Sequence, residues 1–196
     1  MPRQTGKTTT VAAVLLWYLM FHESFSIAIL AHKSQQSREI LSRIALAYEH
    51  LPRWLQLGVV EWNKGNVELE NGSKILAAST SASAIRGGSF NLIYLDEFAF
   101  VPTHIQEEFF ASVYPTISSG QTSKVLVTST PNGLNLFYKI WNDSENGHND
   151  YKRIDVHWSD VPGRDEKWKE QTIRNTSEDQ FRVEFECEFI GSSNTL

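Results

Sequence analysis

The chain has 196 residues, 41% of them hydrophobic and 12% aromatic, with a formal net charge of −5. That length is ample for one buried core, or a core with a small appendage, and the single cysteine, Cys187, excludes an internal disulfide and a cysteine metal cluster. The negative balance, −2 up to Asp150 and −3 beyond it, excludes a uniformly basic face, so any contact with DNA needs a local patch, further sequence or a ring of subunits.

The first residues end in Gly6-Lys7-Thr8 and lead straight into an apolar, helix-forming run. Such a tripeptide is the core of a phosphate-binding loop: successive backbone N–H groups curl round a phosphate, and the following helix aims its positive end at the anion. Lys7 would reach the β- and γ-phosphates, and the Thr8 hydroxyl would sit on Mg²⁺. Only half of the full pattern is present, since Met1 stands where a glycine is required, and Arg3 places a second cation in the lead-in. The same residues also fit a secretory signal: Arg3 and Lys7, an apolar run from Val11 to Phe21, and a small-x-small site at Ser26-Ile27-Ala28. That run is too short to span a bilayer.

In chain order, Thr8 to His22 reads as a helix apolar almost all round, and Ser26 to Ala31 as a short buried strand. Ser34 is placed to cap a second helix carrying Ile40, Leu41, Ile44, Tyr48 and Leu51 on one face, ended by Pro52. Val59 to Trp62, Asn66 to Glu70 and Ser73 to Ala78 read as a β-meander with turns at Asn63-Lys64-Gly65 and Asn71-Gly72. Buried strands follow at Leu92 to Leu95 and Lys124 to Thr128, with a helix from Thr103 to about Ile117 between them and another from Leu134 to Trp141 after them. This alternation predicts a parallel α/β sheet. The polar segment Ser144 to Asp150 is the expected boundary, dividing a core at 1–143 from a small subdomain at 151–196. Tyr151 to Trp158 alternates like an edge strand, Ser177 with Gln180 forms a capping box, and Phe181, Phe185 and Phe189 recur every fourth residue as core positions.

Three stretches complete a nucleotide site. Leu92 to Leu95 delivers Asp96 and Glu97 to the carboxyl edge of the sheet, where α/β proteins bind ligands; Asp96 would order Mg²⁺ and Glu97 would polarise the attacking water. Thr128-Ser129-Thr130 also ends a strand and offers hydroxyls to the γ-phosphate or its water, although local turn capping fits it equally. Arg86, in Arg86-Gly87-Gly88, is a candidate arginine finger, with Arg3 the rival within the same subunit and an ordinary surface role open to both.

Together these stretches resemble the ATPase domain of the large terminase subunit, the DNA-packaging motor of tailed bacteriophages, and most closely the T-even type. The resemblance rests on Arg3-Gln4-Thr5-Gly6-Lys7-Thr8, Ile29 to Lys33, Val60 to Gly65, Arg86-Gly87, Ile93 to Phe100, Ser118-Ser119-Gly120 and Thr128 to Leu134. It implies a RecA-like phosphate-loop core with a mainly parallel, doubly wound sheet, binding ATP and Mg²⁺. It further implies that residues 3 to 8 hold nucleotide, Thr8 and Asp96 hold metal, Glu97 and an arginine catalyse, and Thr128, Ser129 and Thr130 couple hydrolysis to movement. The implied partners are double-stranded viral DNA, the portal protein, the small terminase subunit and further copies in a ring, with no membrane. The implied setting is the cytoplasm of the infected bacterium, transiently at the procapsid portal. Because the family places a strand before the loop and a nuclease domain after the motor, the chain reads as a piece of that pattern, with a truncated, non-catalytic nucleotide-binding or interaction fragment as the alternative. A helicase of the Asp-Glu-box kind would need a second RecA-like domain. On this reading the strands at Ile27–Leu30, Leu92–Leu95 and Val125–Thr128 are expected to lose a shared neighbour.

Overall fold

The computed structural model describes residue 2 and residues 4–81, 83, 85, 88–118 and 123–191, with the backbone alone for 114–118. It forms two compact units, one of Gly6–Thr128 and a smaller one of Met1–Thr5 with Ser129–Leu196. The polar segment at 144–150 lies within the second of these units.

The larger unit is a six-stranded sheet with order β2-β3-β4-β1-β5-β6. Its strands are β1 (Ser26–Ala31), β2 (Val59–Trp62), β3 (Asn66–Leu69), β4 (Lys74–Ser79), β5 (Leu92–Asp96) and β6 (Lys124–Thr128), and its helices α1 (Lys7–Phe21), α2 (Ser34–Glu49) and α3 (Thr103–Ser118). Strands β4, β1, β5 and β6 run parallel, while β2, β3 and β4 form an antiparallel meander that extends the same sheet. Every residue of β1 is buried, as its unbroken run Ser-Ile-Ala-Ile-Leu-Ala requires of a strand covered on both faces. Ile27 and Ile29 join Leu15, Leu19, Ile40, Ile44, Leu69 and Tyr94 in one core. Each such side chain contributes about 1.5–3 kcal/mol.

Three expectations need correction. Strand β1 is paired with β4 and β5, and β5 with β1 and β6, so both have spent their two edges and lose no neighbour; of the three strands only β6 lies at an edge of the sheet, the other edge being β2. Lys33, not Ser34, occupies the cap position of α2, where the Gln36 side chain accepts from its backbone N–H at 3.2 Å. Helix α1 is apolar all round yet not buried all round, since Val14, Trp17 and Phe21 are exposed.

The Asn71-Gly72 turn does more than reverse the chain. Asn71 donates from Nδ2 to the carbonyls of Leu19 (2.9 Å) and His22 (2.8 Å), and Ser73 Oγ donates to His22 at 2.7 Å. The meander thus satisfies carbonyls that the end of α1 leaves without helical partners. Gly72 permits this with φ +74°.

In the smaller unit, α4 (Leu136–Glu145) starts two residues later than the sequence suggests, because Asn135 caps it by accepting from the N–H groups of Phe137 and Tyr138. The polar segment after it is tied down: Asn149 donates to the Ile140 carbonyl at 2.9 Å. Residues 151–157 form no strand; their alternation ends in a short 3₁₀ turn, Trp158–Asp160, that buries Trp158. Helix α5 (Glu166–Asn175), capped by Asp165, has no counterpart in the sequence reading. Helix α6 (Glu178–Glu184) begins with Ser177 accepting from Gln180 N–H at 3.1 Å, which is one half of the expected capping box. Phe181 and Phe185 pack with Trp168, whereas Phe189 lies past the helix and packs on Phe137 and Tyr138.

Removing the cap from α1 should be costly. Asn71→Ala takes the side-chain donor from the Leu19 carbonyl and leaves His22 with Ser73 Oγ alone, and should lower unfolding free energy by about 1–3 kcal/mol. Urea denaturation followed by far-UV circular dichroism should show that loss with an unchanged slope.

Candidate active site

The first part of the site is built by α1. Gly6 stands at its N-cap with φ +78°, a left-handed turn that glycine adopts freely, and its carbonyl accepts from Thr10 N–H at 2.9 Å. The next residue, Lys7, is only 8% exposed, and its Nζ lies 2.5 Å from Glu97 Oε1. A lysine in the first turn of a helix is electrostatically unfavourable there, because the helix end is already positive. Glu97 offsets that cost. Thr8 follows half-buried in the same turn.

The second part is built by β5. Asp96 is its last residue, 7% exposed, paired in register with Ala31 of β1 and Thr128 of β6. Tyr94, two residues earlier and therefore on the same face of the strand, donates its hydroxyl to Asp96 Oδ1 at 2.7 Å. Thr128 donates to the same oxygen at 2.9 Å, and the two hydroxyls are 3.0 Å apart. Burial, aided by the Asp96 charge, pushes the Tyr94 phenol far above its ordinary pKa, so it remains a donor. Glu97 then leaves the strand in the left-handed region at φ +48°, ψ +44°. For a non-glycine residue this is a costly conformation of the kind stored at functional sites. Gln106 of α3, fully buried, fastens the turn after it by donating from Nε2 to the carbonyls of Phe98 (3.1 Å) and Val101 (2.6 Å).

Of the residues expected at the site, Lys7 and Glu97 are in contact, as are Asp96 and Thr128. Arg3 and Arg86 lie outside the described residues. Gln4, Thr5, Ser129 and Thr130 belong to the smaller unit. There Thr5 Oγ1 donates to the Pro2 carbonyl at 3.0 Å, and Ser129 and Thr130 are buried. Thr128 turns its hydroxyl to Asp96 and not to a turn of its own. Sequence reasoning missed Tyr94 and Gln106, and also Arg164, which donates from Nη2 to the Gln4 carbonyl at 3.2 Å while stacking on Trp168. Gln4 has φ +55°, and its carbonyl is held by that guanidinium, whose pKa burial lowers. The period-two spacing of Tyr94 and Asp96 was the available signal for the first of these; the other two carry none.

The oxygens present suit Mg²⁺, a hard cation that favours carboxylate, hydroxyl and phosphate ligands. Both hydrogen bonds to Asp96 fall on Oδ1, which leaves Oδ2 without a donor among the described residues. No group of three or more His, Cys, Asp or Glu side chains among the described residues could hold a metal. A cation here would therefore need oxygens from a phosphate ligand as well.

The chain is similar to known proteins over its whole length. A family model described as "Terminase large subunit, T4likevirus-type, N-terminal" matches residues 1–196. The terminase large subunit of Thermus phage G20c is 24% identical over 226 residues, which cover 99% of this chain and 46% of that protein. The chain thus spans about half the length of this curated relative. Among solved structures, a mutant of the large terminase ATPase domain of Thermus phage P74-26 superposes with a TM-score of 0.76 at 19% identity, covering 96% of this chain and 86% of that one. The large terminase of another thermophilic bacteriophage, solved in complex with ADP, gives 0.71 at 12% identity, covering 96% and 46%. These likenesses show the fold, an α/β RecA-like core with a mostly parallel sheet. With the family model matching from the first residue to the last, the chain belongs to the T4-like type of terminase large subunits, of which it represents the N-terminal region.

Proposed function

We propose that this chain is the ATP-hydrolysing motor region of a large terminase subunit, driving double-stranded viral DNA into a procapsid. The observation that carries the reading is the contact of Lys7 with Glu97, which brings the first turn of α1 against the carboxyl end of β5, beside Asp96. A helix N-terminus, a lysine and two carboxylates so placed suit a nucleoside triphosphate with its metal. The thermophilic-phage terminase was solved with ADP, which supports a nucleotide as ligand.

Glu97 neutralises the Lys7 ammonium. A triphosphate would compete for that ammonium and release the carboxylate. Glu97 is 25% exposed, so water can reach it, and the freed carboxylate could accept a proton as the water attacks. Asp96, with Thr8, would hold the Mg²⁺, which supplies charge neutralisation at the phosphates. Thr128, bonded to Asp96 from the neighbouring strand, would link the state of the phosphates to β6 and on to Ser129 and Thr130. An arginine finger can raise phosphoryl-transfer rates by about 10³–10⁵. Arg86 is proposed to supply it to a neighbouring subunit, with Arg3 the alternative in the same subunit.

The remaining partners follow from the family: a ring of copies seated on a portal protein, with a small terminase subunit, in the host cytoplasm. No helix among the described residues is long and apolar enough to cross a membrane.

Glu97→Gln should bind ATP within a few-fold of the parent yet lose turnover by about 10²-fold or more, whereas Lys7→Ala should weaken triphosphate binding itself. Fluorescent-nucleotide titration and phosphate release under assembling conditions separate the two; parental turnover by Glu97→Gln would remove it as the base. Mixing Arg86→Ala with Glu97→Gln subunits should recover part of the activity, because some interfaces pair an intact glutamate with an intact arginine. Absence of recovery at every ratio, with assembly verified, would transfer the finger to Arg3.

A further inference from the structure

Resting on the nucleotide-site reading above, we infer that Tyr94 is a positioning residue for the metal-binding carboxylate, fixing with Thr128 which oxygen of Asp96 faces the ligand. Three oxygens form a closed triangle: Tyr94 to Asp96 Oδ1 at 2.7 Å, Thr128 to Asp96 Oδ1 at 2.9 Å, and Tyr94 to Thr128 at 3.0 Å. An ionised carboxylate brings no proton, and each hydroxyl brings one. Two hydrogens must therefore serve three sides, and both are best used on the charged acceptor, where hydrogen bonds are strongest.

Two donors fill the two lone pairs of Oδ1. Turning the carboxylate out of this plane would break both bonds at once, while a half turn only exchanges two equivalent oxygens. Tyr94 has no exposed surface, so water cannot replace its hydroxyl. Its position on β5 is fixed on both sides, by Ile29 of β1 and Leu126 of β6. Oδ2 is thus the oxygen kept for a metal or its water, and the carboxylate is set before any ligand arrives. Such preorganisation lowers the cation concentration needed without adding a contact to the nucleotide. Thr128 belongs to β6, so a shift of that strand against β5 would remove one of the two donors. A tyrosine present only to fill the core would affect stability and leave the cation requirement alone.

The test uses the whole chain, a fluorescent ATP analogue and MgCl₂, with EDTA for the metal-free arm. Tyr94→Phe should raise the Mg²⁺ concentration for half-maximal tightening of nucleotide binding by roughly tenfold, while binding in EDTA stays within about twofold of the parent. Thr128→Val should move the same midpoint in the same direction. The double variant should shift it by less than the product of the two, since losing either donor already frees the carboxylate to turn. An unmoved Mg²⁺ midpoint in Tyr94→Phe, or an equal loss of binding with and without metal, overturns the inference and leaves the nucleotide reading standing. Should Tyr94→Phe prove unfolded at the assay temperature, Thr128→Val decides the question by the same criterion. If the parent chain binds the analogue in neither arm, the nucleotide reading fails and this inference with it.

Discussion

Strand β5 hydrogen-bonds in parallel to β1 on one side and to β6 on the other, which holds Asp96 opposite both Ala31 and Thr128. Everything chemical in the larger unit is hung from that pairing. The register brings the Thr128 hydroxyl to the carboxylate, and the pleat puts Tyr94 on the same side. The strand end then releases Glu97 to meet Lys7. A one-residue slip of β5 would reverse every side chain on it and dissolve the constellation. The fully buried run Leu-Ile-Tyr-Leu-Asp makes such a slip expensive.

The Lys7–Glu97 pair is electrostatically more consequential than its single contact suggests. Lys7 is 8% exposed and Glu97 25%, so the pair lies between the surface case, worth little, and the deeply buried case, where desolvation outweighs attraction. Such a pair ties the first turn of α1 to the end of β5. Gln106 adds rigidity from the other direction, because its two hydrogen bonds pin the turn through which Glu97 leaves the strand.

Much of the sheet was legible in the sequence, because each strand is short, apolar and closed by turn residues, and both carboxylates stand where a buried run stops. Gly6-Lys7-Thr8 was legible for the same reason: a glycine and a cation immediately precede a long apolar helix. What could not be read was tertiary. The sheet order decides that β6, and not β1 or β5, lies at the edge, and no local pattern encodes it. The alternation at 151–158 suggested a strand, yet burial of Trp158 in an aromatic cluster with Trp168 and Phe181 won over pairing. Arg86 and Arg3 remain sequence-based assignments. Tyr94 looked like one more core residue until its hydroxyl was found on a carboxylate.

The left-handed backbone at Glu97 has a further consequence, for anyone seeking a sturdier version of this protein. An L-residue held there costs about 1–2 kcal/mol that glycine would not incur, and asparagine would incur less of it. Replacing Glu97 with glycine would release that strain but strip the 8%-exposed Lys7 ammonium of its carboxylate, and the second loss is the larger. The ion pair thus holds in place the backbone strain that makes it possible, and a library screened only for melting temperature would find no gain in relaxing position 97.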